Sequence, residues 1–368
     1  MKVAYLWGQW TGYMTASTAA IAKSGNAEIR VLLPHPKHDA QSRLRPFILD
    51  ALQPSAQLTY TGYPRYQEVK SWIDEFDPQV VVVSGWNYQA YMRVLREGKG
   101  RFLRALSMDN QWLWKLKQIG GVAASRIMVR PCFDMVFASG PRQRQFAEYL
   151  GFHPSRIFEG YLSCDVAMFS SDQPLSPTRR FVFAGRLTDD KGIEQLLKGH
   201  QRYREHSSYA WPLEIVGTGP LEHLVPQYER VTLLPFKQPR ELAQYFKQGG
   251  TFVLPSAYEP WGVVLHEAAS AGMPLIASRK VGAGDMFLRH GWNGLLIDSV
   301  SPDAIATAMH QLSSFDDSAL LEFGSRSEML AQTLTPQIWA DTFWRAVTWM
   351  RGEALNVALP AKQLRKLV

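Results

Sequence analysis

The sequence predicts an α/β protein made of two doubly wound, mostly parallel sheets, and three observations carry that prediction. Short apolar runs alternate with helical patterns along nearly the whole chain, the order that sandwiches a parallel sheet between helices. The alternation lapses at 172–178 (DQPLSPT), where two prolines and no periodicity mark a linker. The chain has 368 residues, 46% hydrophobic and 20% charged, enough for two ordinary cores. The expected division is a first domain at 1–172, a second at 173–335, and a final helix with a basic tail at 336–368.

In the first half, strands are expected at 3–7, 29–33, 80–84 and 135–138. After the first strand, GQWTGYM contains Gly8 and Gly12, which let the backbone turn and come close to a ligand, or simply form a strand-to-helix loop. The segments 76–86 and 102–112 are strands ending in polar or aromatic residues, and in such sheets ligands gather beyond strand C-termini. Asp109 ends the second of them; it either faces a ligand or, with Asn110, caps a helix starting at Gln111. Residues 133–158 read as a strand, a Ser-Gly-Pro turn, an amphipathic helix and a further strand.

The second half restarts the alternation, with strands expected at 181–184, 213–216, 231–233, 252–254, 275–277 and 295–297. A last helix at 336–351 carries Trp339, Phe343, Trp344, Val347 and Trp349 at helical spacing.

The chemistry concentrates in 251–278, a buried strand, a loop, an apolar helix at 262–271 and a second strand. That helix carries Glu267, and the loop before it carries Glu259. A carboxylate in apolar surroundings is costly without a partner, and no Lys or Arg sits one turn away. Two vicinal hydroxyls of a ribose would satisfy Glu267, hydroxyls of a second sugar would satisfy Glu259, and the free amides of Gly262, Val263 and Val264 would bind the diphosphate between them. Upstream, Gly185 allows close approach, Arg186 can fork onto phosphate oxygens, and Lys191 adds a point charge. Gly217 and Gly219 follow a strand, but Glu222 stands where a dinucleotide fingerprint wants a third glycine. Gly282 to Asp285 reads as a flexible turn at the same edge, able to close over phosphates. His266 points about 100° away from Glu267 around the helix and reads as a core histidine.

The setting LPS-x-x-EPWG-x-x-x-HE-x-x-x-x-G-x-P, preceded by the GR…KG pair at 185–192, resembles the signature of the family 4 retaining glycosyltransferases, strongly over 181–298 and loosely before 172. The resemblance implies the GT-B architecture: two Rossmann-like domains facing a central cleft, with the last helix crossing back to the first. It also implies a nucleoside-diphosphate sugar, UDP-sugar favoured over GDP-sugar, on the second domain, and a glycan or lipid-linked acceptor on the first, in surface polysaccharide or glycoconjugate synthesis. Gly12 then lies on the acceptor-side loop, Gly219 near the nucleotide, and Phe236 in a segment flanking the base. The family often places a histidine facing the donor sugar where this chain has Asp109. Arg186, Lys191, Glu259 and Asp109 form the implied catalytic set.

No Asp-x-Asp, HExxH, GKS or GKT motif and no cysteine cluster is present, so neither a metal nor an organic cofactor is expected. Cys132 and Cys164 have neither the number nor the spacing of a disulfide framework, which suits a reducing cytoplasm. No apolar run is long enough for a membrane helix, and no signal peptide is legible. Net charge is +7, of which residues 1–172 carry +6 (20 basic against 14 acidic), with 93–104 the densest run. Such a face suits an anionic partner: a phosphate-bearing acceptor, the inner face of an anionic membrane touched peripherally, or nucleic acid. Nucleic acid is not expected, because no recognised nucleic-acid fold interleaves its aromatic and basic residues. A sugar phosphorylase, a sugar-nucleotide epimerase or a non-catalytic anion-binding protein would be the alternatives on similar cationic sites.

Overall fold

A computed structural model describes residues 1–8, 10, 12–34, 56–160, 162–171 and 177–352. The predicted basic tail and most of the predicted linker lie outside these residues. Seven parallel strands form the first sheet: β1 (Lys2–Leu6), β2 (Glu28–Pro34), β3 (Gln57–Thr61), β4 (Val80–Val83), β5 (Leu103–Met108), β6 (Met135–Ala138) and β7 (Ile157–Glu159), in the order β3-β2-β1-β4-β5-β6-β7. The second sheet has six: β8 (Phe181–Ala184), β9 (Leu213–Val216), β10 (Val231–Leu234), β11 (Thr251–Leu254), β12 (Leu275–Ser278) and β13 (Gly294–Ile297), in the order β10-β9-β8-β11-β12-β13. Both are doubly wound Rossmann sheets, so the predicted fold class holds. The central strands are short apolar runs with every residue buried, as VVVV in β4 and FVFA in β8, because helices cover both faces.

Three local expectations are corrected. β3 was unpredicted: QLTYT is a half-exposed edge strand whose pattern is too polar to read. Gly12 is the first residue of the helix Gly12–Ser24 rather than part of a turn; Gly8 makes the turn, its N–H donating to Ser84 Oγ at 3.0 Å. No helix begins at Gln111. No helix forms until Leu116, and Trp114 turns the chain at φ 56°, so Asp109 and Asn110 cap nothing, because Gln111 is drawn into the opposite domain.

The final helix, Pro336–Arg351, does cross back to the first domain. Trp339 and Phe343 stack 6.0 Å apart, Trp339 meets Phe137 of β6 at 5.6 Å, and Trp344 Nε1 donates to Ser24 Oγ at 3.0 Å. Trp349, by contrast, is exposed. Trp339→Ala should therefore cost about 3–5 kcal/mol, the range for emptying a buried aromatic site, read as a lower urea midpoint.

Candidate functional site

In each sheet the chain winds outward in both directions from one pair of neighbouring strands, and a crevice opens beyond their C-terminal ends. In the second domain that pair is β8 and β11, so the loops at 185–192 and 255–262 flank the crevice. The two are locked together. The carbonyl of Asp190 accepts the N–H groups of Ala257 (2.9 Å) and Tyr258 (3.2 Å). Gly192 has φ 70°, and a Cβ there would stand 2.3 Å from the Pro255 carbonyl oxygen, so only glycine lets the loops touch.

This contact settles the charges differently from the reading of the sequence. Lys191 Nζ is paired with Glu259 Oε2, and both side chains are nearly buried. Lys191 is thus engaged by the carboxylate expected to receive sugar hydroxyls, rather than standing free for phosphate. Arg186 stays half exposed at the rim, its nearest carboxylate oxygen Asp190 Oδ2 at 3.9 Å; the same oxygen lies 3.7 Å from Lys191 Nζ. Asp190 was not singled out in the sequence, though its place beside Lys191 was a signal.

Beyond the loop, Gly262 takes φ 89° and opens the helix Val263–Ser270. A Cβ there would lie 2.8 Å from Glu259 Cγ, so glycine keeps room for that side chain. The first amides of the helix have no acceptor in the helix itself and lie at its end beside this loop. One turn on, the carboxylate of Glu267 has no hydrogen-bond partner among the described residues, and burial pushes its pKa up to about 7. His266 is core: Nδ1 accepts the Cys164 N–H at 3.2 Å, Nε2–H donates to the Ala331 carbonyl at 3.0 Å, and the ring stacks on Phe287. Burial holds it neutral, with a pKa of about 4.

Other predicted residues fall into place around this centre. Gly185, at φ 157°, follows β8, and its carbonyl oxygen lies where a Cβ on Gly217 would come within 1.9 Å. The closeness of Gly219 is to protein: a Cβ would meet the Leu187 carbonyl oxygen at 2.4 Å. Phe236 is half-buried just past β10, two strands from the crevice. The 282–285 turn is no flexible flap, since Gly282, Ala283 and Gly284 are buried and a Cβ on Gly282 would meet the Pro260 carbonyl oxygen at 2.3 Å.

The first domain grips the same loop from across the cleft. Gln111 Nε2 donates to the carbonyls of Glu259 (2.9 Å) and Pro260 (2.7 Å), and Gln143 Nε2 joins Pro260 (2.7 Å) to Asp109 O (2.9 Å). Arg142 forks onto Asp285 (2.6 and 2.7 Å), while Trp261 lies against Gly140. Asp109 is open to water on the cleft wall; the surrounding protein raises its carboxyl above the usual carboxylate range. Tyr258 faces it, its phenol raised by burial and then by the carboxylates of Asp109 and Glu259. At the first domain's own crevice, between β1 and β4, Ser84 and Tyr88 flank Gly8, and Tyr88 leads an aromatic row with Tyr63 and Tyr91. None of Gln111, Arg142, Gln143, Ser84 or Tyr88 carried a motif.

Two Rossmann sheets whose strand C-termini face each other across such a cleft define the GT-B class. Residues 178–314 match the family model described as Glycosyl transferases group 1. An uncharacterized glycosyltransferase of Methanocaldococcus jannaschii is 34% identical over 143 residues, 37% of this chain and 36% of the relative. A D-inositol 3-phosphate glycosyltransferase of Corynebacterium urealyticum is 32% identical over 122 residues, covering 33% of this chain and 28% of that protein. The chain thus spans well under half the length of these curated relatives. Among solved structures, Anabaena HepE in complex with UDP superposes with a TM-score of 0.74 at 15% identity, over 95% of this chain and all of that one. Sucrose-phosphate synthase of Thermosynechococcus elongatus also reaches 0.74, at 16% identity over 96% of this chain and 99% of that one. At these identities the likeness is one of fold.

Two predictions follow from the charges. Glu267→Gln should be more stable than wild type at about pH 8, by at most about 3 kcal/mol, because the folded state must desolvate a carboxylate that the unfolded chain solvates freely. Since the folded pKa is raised from 4.5 to about 7, that penalty is full above pH 7 and fades as pH falls towards 4.5. Urea titrations across this range measure it. Lys191→Met or Glu259→Leu alone should lose roughly 3–5 kcal/mol, and the double variant much less than their sum, since each single change buries one unpaired charge.

Proposed function

We propose that this protein is a retaining glycosyltransferase that moves a sugar, of hexosyl type, from a nucleoside-diphosphate sugar to a hydroxyl of a glycan or lipid-linked acceptor in surface polysaccharide or glycoconjugate synthesis. UDP-sugar is the favoured donor and GDP-sugar the second candidate, with no metal or organic cofactor. The observation that carries the reading is the half-buried carboxylate of Glu267, without a hydrogen-bond partner among the described residues, one turn from the amides of 262–264 at the β8/β11 crevice. A carboxylate held at such cost needs a ligand that donates to it, and the two adjacent hydroxyls of a ribose do so while the diphosphate reaches the helix end.

In this reading the bond from the anomeric carbon to the β-phosphate oxygen breaks as the acceptor oxygen bonds to the same carbon on the same face. Negative charge grows on the leaving diphosphate, where Arg186 and the amides of Gly262, Val263 and Val264 stabilise it. The departing phosphate oxygen takes the acceptor proton, so the configuration is retained without a protein nucleophile. Lys191 acts through Glu259, fixing the carboxylate that receives the donor sugar's hydroxyls. Asp109 and Tyr258 line the path between donor and acceptor, and the Gly8, Ser84 and Tyr88 crevice supplies an aromatic surface for the acceptor. That UDP is bound by HepE favours a uridine donor here.

Calorimetric titration with UDP, GDP and ADP, with and without added magnesium, tests the reading. One nucleoside diphosphate should bind without metal, and Glu267→Ala should weaken it by about 1–3 kcal/mol, the scale of a charged hydrogen-bond partner. Equal binding by a folded Glu267→Ala variant would remove Glu267 from the site, and binding by none of the three would remove the donor reading.

A further inference from the structure

We infer that the helix Leu116–Met128, with the turn that leads into it, is a docking face for the surface of an anionic lipid bilayer. This helix presents its apolar side chains outward. Leu116 is 86% exposed, Ile127 79% and Trp114 72%, with Ile119 and Met128 also exposed. Leu116, Ile119, Ala123 and Ile127 follow helical spacing, so they form one outward stripe. Ser125 is the one buried residue among the helix's described side chains, and Gly120 and Gly121 face open space. A helix that buries almost nothing, yet carries a row of aliphatic side chains into water, lacks the packing that ordinarily stabilises one.

Charge says what covers the stripe. Residues 111–133 contain Lys115, Lys117, Arg126 and Arg130 and no Asp or Glu. Lys115 and Arg126 make no ion pair among the described residues, and Arg130 bonds only a carbonyl, that of Gly151, at 3.2 Å. Of the basic run at 93–104, Arg93 pairs with Glu97, Arg101 with Asp74 and Asp77, and Arg104 is buried against Asp134, while Arg96 donates only to the carbonyl of Met128, at the end of this helix, at 3.4 Å. The uncompensated cations thus flank the exposed apolar stripe, the arrangement of a helix lying in a bilayer interface. A second copy is a poor occupant, because a two-fold contact would set these cations against one another with no acid to pair them. No helix among the described residues is long and apolar enough to cross the membrane, so the contact is peripheral.

The face begins at the mouth of the cleft. Gln118 Nε2 donates to the Gln111 carbonyl at 2.9 Å, and Gln111 reaches the Glu259 loop. Docking would bring the cleft to a lipid-borne acceptor, an inference that rests on the transferase reading; the docking itself does not.

Flotation with vesicles of phosphatidylcholine, with and without phosphatidylglycerol, tests it on the full chain. Wild type should float with the anionic vesicles and be released by salt. Ile119→Glu with Ile127→Glu, and separately Lys115→Ala with Arg126→Ala, should each lower partitioning roughly tenfold or more. The second pair removes only exposed charge and keeps the test sound if the first misfolds. Wild type left in solution, or variants that float as well as wild type, would overturn the proposal. So would a wild-type dimer that Ile119→Glu with Ile127→Glu turns to monomer while vesicles have no effect. Nucleotide titrations on the same preparations separate the two ideas: binding without flotation removes the docking face alone, and flotation without binding removes the donor reading alone.

Discussion

The loop at 255–262 is held at both ends of its charge and on both sides of the cleft, and the rest of the site depends on that restraint. Beneath it, Lys191 and Glu259 are buried together, each offsetting a desolvation cost the other could not meet alone. Asp190 ties its backbone to the loop after β8, and Gln111 and Gln143 hold its carbonyls from the first domain. A loop so restrained can present the amides of Gly262, Val263 and Val264 in a fixed direction. Electrostatic stabilisation of a leaving group needs that, since donors already in place cost no reorganisation when charge develops.

Glu267 is the counterpart of that rigidity. The fold spends stability to keep a carboxylate half-buried beside the helix end with no hydrogen-bond partner among the described residues, while its neighbour His266 is satisfied by Cys164 and Ala331. The contrast between adjacent residues of one helix separates function from packing. A structural polar group is given its partners by the protein, whereas a binding group waits for a ligand to bring them.

Much of this was legible in the sequence. Apolar runs located most strands, and the aromatic period of 336–351 announced a helix with a face to bury. The spacing of Glu259 and Glu267 around EPWG marked the binding loop. What escaped was anything set by a partner far along the chain. Gln111 was read as a helix start because Asp109 and Asn110 are good caps; a bond to residues almost 150 positions away overrode that preference. Gly219 and Gly282 were read as ligand-facing, since a glycine reports close approach without saying to what, and here the neighbours are the backbones of Leu187 and Pro260. Within the basic run at 93–104, Arg101 and Arg104 are neutralised by Asp74, Asp77 and Asp134, acids that lie elsewhere in sequence.

The sequence by itself determined the two doubly wound sheets and the loop and helix that carry the carboxylates, because these are written in local periodicity and short spacings. Only the tertiary structure decided which charges neutralise one another, which glycines serve packing, and which apolar helix is left facing water. Those outcomes depend on long-range neighbours, and the energy of a charge or a methyl group is set by what surrounds it once the chain has closed.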